Sequence, residues 1–191
     1  IGLAVTVVLC LILAPLGTLI VLTTAATLVY LITLCHRIYL VRIGLGDDSS
    51  IQVADEDARA VPDEELPIYT LLVPAYGEPQ VLPDLVAALN RIEYPRDRID
   101  VKLLLEVGDA ETIAAARAIE TDLPIEVLLL PAGEPQTKPR ALNFGLYFAR
   151  GSLVTIYDAE DHPDPLQLRR AVVAFSRGAD DVGCLQGKLS F

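Results

Sequence analysis

No Asp, Glu, Lys or Arg occurs from Ile1 to His36, and a run that long without a charge constrains the chain more than any other feature. It far exceeds the roughly 18 apolar residues that mark a membrane-spanning helix. As a single helix it extends about 52 Å at roughly 1.5 Å per residue, against a hydrocarbon core of about 30 Å. Pro15-Leu16-Gly17 offers the place to break it. Residues 1–42 are therefore expected to form a transmembrane hairpin, the end of one helix near Ala14 and a second from Thr18 to Leu40; a single kinked or tilted helix is the alternative. A signal peptide does not fit a run this long with no small-residue cleavage pattern before His36 and Arg37. Arg37 and Arg42 at the exit place the following residues in the cytoplasm by the positive-inside rule. The expected location is the inner (cytoplasmic) membrane, multi-pass, with membrane lipid as a partner.

The chain starts at Ile1, contains no Met and stops at Leu189-Ser190-Phe191 directly after an apolar stretch. Both ends read as cuts in a longer reading frame. Cys10, Cys35 and Cys184 are too scattered for a metal site or a disulfide framework and read as small hydrophobes. Between Ile43 and Leu66 eight acidic residues stand against Arg59 alone, which supplies −7 of the formal −11. That stretch, residues 43–66, reads as an acidic linker, so the low pI says little about the ligand of the domain that follows. Nucleic acid is not an expected partner, since no clustered basic face is present.

From Pro67 onward short apolar runs alternate with helical patterns, the signature of a Rossmann-like α/β domain with a mostly parallel sheet. Strands are expected at Ile68–Val73, Val101–Val107, Ile125–Leu130, Leu153–Tyr157 and Val182–Gln186. Helices are expected at Val81–Arg91, Ala110–Thr121, Pro139–Arg150 and Pro165–Arg177. In such a sheet the loops leaving the strand ends open on one edge, where ligands bind.

Those loops hold the unusual residues. Val73-Pro74-Ala75-Tyr76-Gly77-Glu78-Pro79 is a rigid turn that presents an aromatic face and a carboxylate, suited to a base and a ribose. Glu106 lies within the end of the second strand and Asp109 follows it. Either can accept from a base N–H, and Asp109 can equally be the N-cap of the next helix. Lys138 and Arg140 stand at a helix start as a diphosphate cradle, or as surface charges that the helix dipole disfavours. After the fourth strand, Tyr157-Asp158-Ala159-Glu160-Asp161-His162-Pro163-Asp164-Pro165 gathers hard carboxylate oxygens that suit Mg²⁺ or Mn²⁺ holding a phosphate. The plain alternative is an acidic loop capping the next helix, and Asp164 before Pro165 has the form of an N-cap.

VPAYGEP, the acid at the second strand's end, TKPRALNFGL and YDAEDHPDP together resemble the successive motifs of family 2 glycosyltransferases with the GT-A fold. They resemble in particular its membrane-integrated, cellulose-synthase-like branch that makes bacterial exopolysaccharides. The resemblance covers about residues 66–189 and identifies 67–191 as the donor-binding part of a GT-A domain. It implies that Ala75, Tyr76 and Glu78 line the nucleotide pocket and that Glu106 and Asp109 stand where the family's acids contact uracil and ribose. Here the family's adjacent acid pair is replaced by Glu-Val-Gly-Asp, which leaves both open. Lys138 and Asn143 match an element near the diphosphate. Asp161, with Asp158 next, matches the metal ligand of the Asp-x-Asp motif, although this sequence carries an extra residue there.

The implied activity is an inverting, metal-dependent hexosyl transfer from a nucleotide-sugar donor, a UDP-sugar, to a glycan or lipid acceptor. The family's general base and its acceptor-side element are expected beyond Phe191, so residues 1–191 are expected to be inactive by themselves. Two alternatives stay open: a catalytically inactive membrane-anchored scaffold or regulatory partner of a polysaccharide synthase, and a non-processive transferase acting on a lipid-phosphate acceptor. A dehydrogenase-type dinucleotide module is disfavoured, because no G-x-G-x-x-G follows the first strand.

Overall fold

The structure, a computed structural model, describes residues 2–46, 51–179 and 181–187. It divides into two compact units, one up to Ile51 and one from Gln52 onward. The first consists of helices α1 (Gly2–Leu13) and α2 (Pro15–Gly46). Of this unit, Pro15–Ile43 is long and apolar enough to cross a membrane by length and composition, with a mean hydropathy of 2.1. The hydroxyls of Thr18, Thr23, Thr27 and Thr33 each donate to the carbonyl four residues earlier, so these polar groups are satisfied by the helix's own backbone.

Ala14 separates the two helices: its N–H donates to the Cys10 carbonyl at 2.8 Å as α1 ends, and its carbonyl accepts from Thr18 N–H at 3.0 Å as α2 begins. Pro15 removes one donor, which interrupts a helix but does not by itself reverse the chain.

The second unit is an α/β domain. Its strands are β1 (Tyr69–Ala75), β2 (Ile99–Glu106), β3 (Ile125–Leu130) and β4 (Leu153–Ile156), and its helices are α3 (Asp55–Ala60), α4 (Leu82–Asn90), α5 (Ala110–Ala118), α6 (Lys138–Leu146) and α7 (Gln167–Arg177). All strand pairs are parallel, in the order β3-β2-β1-β4, with Tyr69 level with both Ile99 and Leu153. The two central strands are buried almost throughout, which is why they read as unbroken apolar runs. On one face Leu71, Val73, Val101 and Leu103 join Leu82, Leu85 and Leu89 of α4, Ala116 of α5 and Leu168 of α7. On the other face Leu72, Leu104, Leu128 and Leu130 meet Ala141 of α6. Gly145 lets α6 come close: a Cβ there would lie 2.9 Å from Leu104 methyls.

Two expectations need correction. Val182–Gln186 forms no strand; the run contains Gly183 and is followed by Gly187, and glycine contributes no packing side chain to a ladder. The acidic stretch 43–66 is not a free linker over its second half. α3 is docked on α7, with Ala58 fully buried and Asp55 and Asp57 paired to Arg170 and Arg177 at 2.6 and 2.8 Å. The acids hold structure because the helix they face carries arginines along that side. Residues 47–50 of that expected linker lie outside the described residues.

At the amino edge of the sheet a buried ionic cluster ties the strands together. Asp100 accepts from Lys102 at 2.9 Å, from the Arg150 guanidinium at 2.8 and 2.9 Å, and from Thr70 at 2.9 Å. Lys102 also pairs with Glu126 of β3. Gly151, beside this cluster, has no room for a side chain: a Cβ would stand 2.5 Å from the Ile68 carbonyl and 2.6 Å from the Thr70 nitrogen. Both neighbours are backbone atoms, in β1 or directly before it, and cannot give way cheaply. Gly151→Ala is expected to destabilise the domain by at least about 2 kcal/mol, read as an earlier thermal midpoint; an unchanged midpoint would show that β1 and β4 shift freely.

Candidate functional site

The β1–α4, β2–α5, β3–α6 and β4–α7 loops open on the carboxyl edge of the sheet, and three of them, together with the end of β2, enclose a cleft of about 370 Å³. Leu104, Leu130 and Ala141 form its apolar floor, while Tyr76, Glu78, Lys138, Asp158 and Glu160 stand around it. An apolar floor with a few convergent polar groups is the usual form of a small-molecule site.

Ala75, at the end of β1, is buried, and Tyr76 beside it is 62% exposed on the cleft wall. Gly77 follows with φ +67°, a left-handed conformation that glycine alone adopts without penalty. Its N–H donates to Asp109 Oδ2 at 2.6 Å, and Asp109 Oδ1 accepts from Thr112 N–H at 3.2 Å as the N-cap of α5. Asp109 thus clips the loop carrying Tyr76 and Glu78 to the start of α5, and it is not among the residues lining the cleft. Burial would raise its carboxyl, but the Gly77 and Thr112 donors outweigh that and hold it below the usual carboxylate range. Asp109→Ala is expected to cost about 1–2 kcal/mol, the size of a lost helix cap. A thermal midpoint equal to wild type would refute the clip.

Glu106 ends β2 at the cleft with 7% exposure. A carboxylate so placed needs a partner, and Arg140 supplies it, with Nη1 at 3.0 and 3.3 Å from its two oxygens. Arg140 also donates to the Pro131 carbonyl at the end of β3. The cationic pair of the α6 start therefore divides. Arg140 braces the floor between β2 and β3, and Lys138 faces the open cleft, where it pairs with Asp158. Asn143, further along α6, is exposed and lies outside the cleft lining.

The acidic loop is folded on itself. Asp158 N–H donates to Asp161 Oδ2 at 2.6 Å, and Asp161 N–H donates to the Asp158 carbonyl at 3.0 Å. That pair of bonds closes a tight turn and draws the Asp161 carboxylate away from the cleft, whose lining includes Asp158 and Glu160 but not Asp161. Asp161, the first choice for a cation ligand, is thus engaged with the Asp158 backbone and does not line the cleft. The carboxylates among the acidic-loop residues lining the cleft are Asp158 and Glu160. They are hard donors, and they are few: among the described residues no group of three or more His, Cys, Asp or Glu converges on one point. A partial carboxylate set of this kind fits Mg²⁺ or Mn²⁺ completed by phosphate oxygens and water. Asp164 takes a capping role, accepting from Leu166 N–H at 2.9 Å, although α7 begins only at Gln167. Gln136 and Thr137 also line the cleft; their positions beside Lys138 were the only signal for them.

Residues 67–191, nearly two thirds of the sequence, match the profile described as Glycosyltransferase like family 2. The chain belongs to that family. Among relatives of this glycosyltransferase-like chain, the probable glycosyltransferase YdaM of Bacillus subtilis is 25% identical over 127 residues, 65% of this chain and 30% of that protein. The beta-monoglucosyldiacylglycerol synthase of Synechocystis is 31% identical over 121 residues, 63% of this chain and 25% of that protein. Among solved structures, the mannosyltransferase PcManGT of Pyrobaculum calidifontis, in complex with GDP-Man and Mn²⁺, superposes with a TM-score of 0.56 at 26% identity, covering 73% of this chain and 39% of that one. Residues 1–349 of S. aureus TarS share the fold, with a TM-score of 0.51 at 18% identity over 62% of this chain and 38% of that one. This chain spans less than half the length of each of these proteins. The parallel four-stranded sheet is that of a GT-A, Rossmann-like glycosyltransferase domain.

Proposed function

We propose that this chain provides the donor-binding part of a membrane-bound glycosyltransferase that takes a nucleotide-sugar, a UDP-sugar, and transfers the hexosyl group with inversion during exopolysaccharide synthesis. The observation that carries this reading is the cleft at the sheet's carboxyl edge, in which Lys138 at the start of α6 faces Asp158 and Glu160 across an apolar floor. Lys138 offers charge to a diphosphate at a helix N-terminus, where backbone N–H groups also point outward. Tyr76 gives a ring face to the nucleoside and Glu78 a hydrogen-bond acceptor. Asp158 and Glu160 would hold Mg²⁺ or Mn²⁺, which supplies Lewis-acid neutralisation of the departing nucleoside diphosphate. The complex of PcManGT with GDP-Man and Mn²⁺ supports both the donor class and the cation. α2 is the anchor, with Arg37 and Arg42 placing the catalytic domain on the cytoplasmic side of the inner membrane.

A second reading, a transferase acting once on a lipid acceptor, is favoured by the Synechocystis relative, which is named for a glucosyldiacylglycerol product. The test of the donor site is a titration of UDP and of GDP into the full-length detergent-solubilised protein, with Mn²⁺ and then with EDTA. Cation-dependent preference for UDP is expected. Preference for GDP would change the donor, and binding of neither by folded protein would point to the inactive scaffold. Turnover with diacylglycerol, set against oligosaccharide acceptors, then separates the two transfer readings.

A further inference from the structure

Arg170, in the first turns of α7, uses the two ends of its guanidinium on two different segments. Nη2 meets Asp55 Oδ1 of α3 at 2.6 Å, and Nη1 meets Asp164 Oδ1 at 2.8 Å. Asp164 closes the loop whose other end puts Asp158 and Glu160 on the cleft wall. Little slack lies between these points. Pro163 and Pro165 fix φ on either side of Asp164, and the Asp158–Asp161 turn is closed by two hydrogen bonds.

The far end of the bridge is itself held. Ala58 of α3 is fully buried, and Arg59 forks onto both Glu93 oxygens at 3.1 Å. Arg169 donates to the Val61 carbonyl at 2.9 Å and pairs with Asp63. Glu93 N–H in turn donates to the Pro165 carbonyl at 2.8 Å, gripping the same loop from a second side. A purely structural staple between these helices also exists for comparison: Asp57 and Arg177 pair at 2.8 Å without touching the loop.

We propose that Arg170, anchored by Asp55, is a positioning residue for the donor site, fixing the Asp158–Asp164 loop so that its carboxylates stay on the cleft wall. This rests on the donor-site reading above. The acidic segment after α2 is then a working part of the binding domain, and its charge serves alignment of a site it never touches.

The experiment uses full-length detergent-solubilised protein and reads two quantities for each variant: the Kd for UDP in the presence of Mn²⁺, and the thermal midpoint. Asp55→Ala and Arg170→Lys are expected to weaken Mn²⁺-dependent UDP binding roughly two- to thirtyfold, the usual range for such couplings. A lysine ammonium does not span two carboxylates as the guanidinium fork does. Asp55→Glu is expected to restore most of the affinity, and Asp57→Ala to leave Kd at the wild-type value while lowering the midpoint about as much as Asp55→Ala does. Equal Kd values for wild type, Asp55→Ala and Arg170→Lys overturn the proposal, and so does a loss in Asp57→Ala as large as in Asp55→Ala. If Arg170→Lys does not fold, the exposed Asp55 pair of variants decides alone. Wild-type protein that binds no nucleotide sinks the donor-site reading itself, an outcome distinct from either of these.

Discussion

Asp158→Asn is expected to remove cation-dependent nucleotide binding while leaving the domain folded. Asp158 is half exposed, at 52%, and its side chain pairs with Lys138 across the cleft, so the substitution leaves no buried charge behind. It removes an anionic oxygen that the proposed donor site assigns to the cation. Changes to groups that merely orient a metal ligand cost roughly 10- to 100-fold, so loss of a ligand is expected at or beyond the top of that range. Lys138→Gln makes the comparison informative. It is expected to weaken UDP binding with and without Mn²⁺, because the charge it removes acts on the diphosphate. Calorimetric titration of both variants with UDP, in Mn²⁺ and in EDTA, separates the roles. An Asp158→Asn protein that keeps its Mn²⁺ dependence would move the cation to Glu160 or out of the cleft.

Asp100→Ala is expected to have the largest effect on stability. The carboxylate is 1% exposed and accepts from Lys102, Arg150 and Thr70. Without it, Lys102, itself 2% exposed, keeps Glu126 alone and the Thr70 hydroxyl loses its acceptor. Breaking a buried pair from one side costs about 3–5 kcal/mol, which corresponds to a midpoint lower by on the order of 10 °C. Burial alone would raise the Asp100 carboxyl, but Lys102, Arg150 and Thr70 outweigh it and hold it below its ordinary value. A carboxyl lowered by folding stabilises the domain above its unfolded pKa of about 3.9 and loses that contribution as pH falls through the folded value. The stability gap between wild type and Asp100→Ala should therefore be full at neutral pH and narrow below about pH 4. A gap independent of pH between about 7 and about 3 would show that the cluster contributes no linked proton.

The four strands were legible because two of them are buried on both faces and read as apolar runs, with Ile125–Leu130 placed to the residue. The cleft loops were legible from prolines, glycine and carboxylates at strand ends. What the sequence hid was pairing. Nothing local tells that Arg140 turns to Glu106 while Lys138 turns to Asp158, since both cations share one helix start. Asp109 and Asp161 carried the right chemistry for a ligand, and backbone N–H groups from Gly77 and Asp158 claimed them. The acidic segment misled for the same reason: its charge read as a solvated linker until the arginines of α7, more than a hundred residues away in some pairs, were brought against it. Composition reports charge but not the partner that neutralises it.

The parallel pairing of β4 with β1 sets when the cleft can exist. Tyr69 stands level with Leu153, so the strand that delivers Asp158 docks on one made about 80 residues earlier, a separation that makes for slow closure. The wall opposite Lys138 is thus completed only after β1 to β3 and α6 have emerged. A nascent or proteolysed chain lacking β4 would hold Tyr76, Glu78 and Glu106 but no acidic wall, and nucleotide capture would serve as a report that the sheet has closed.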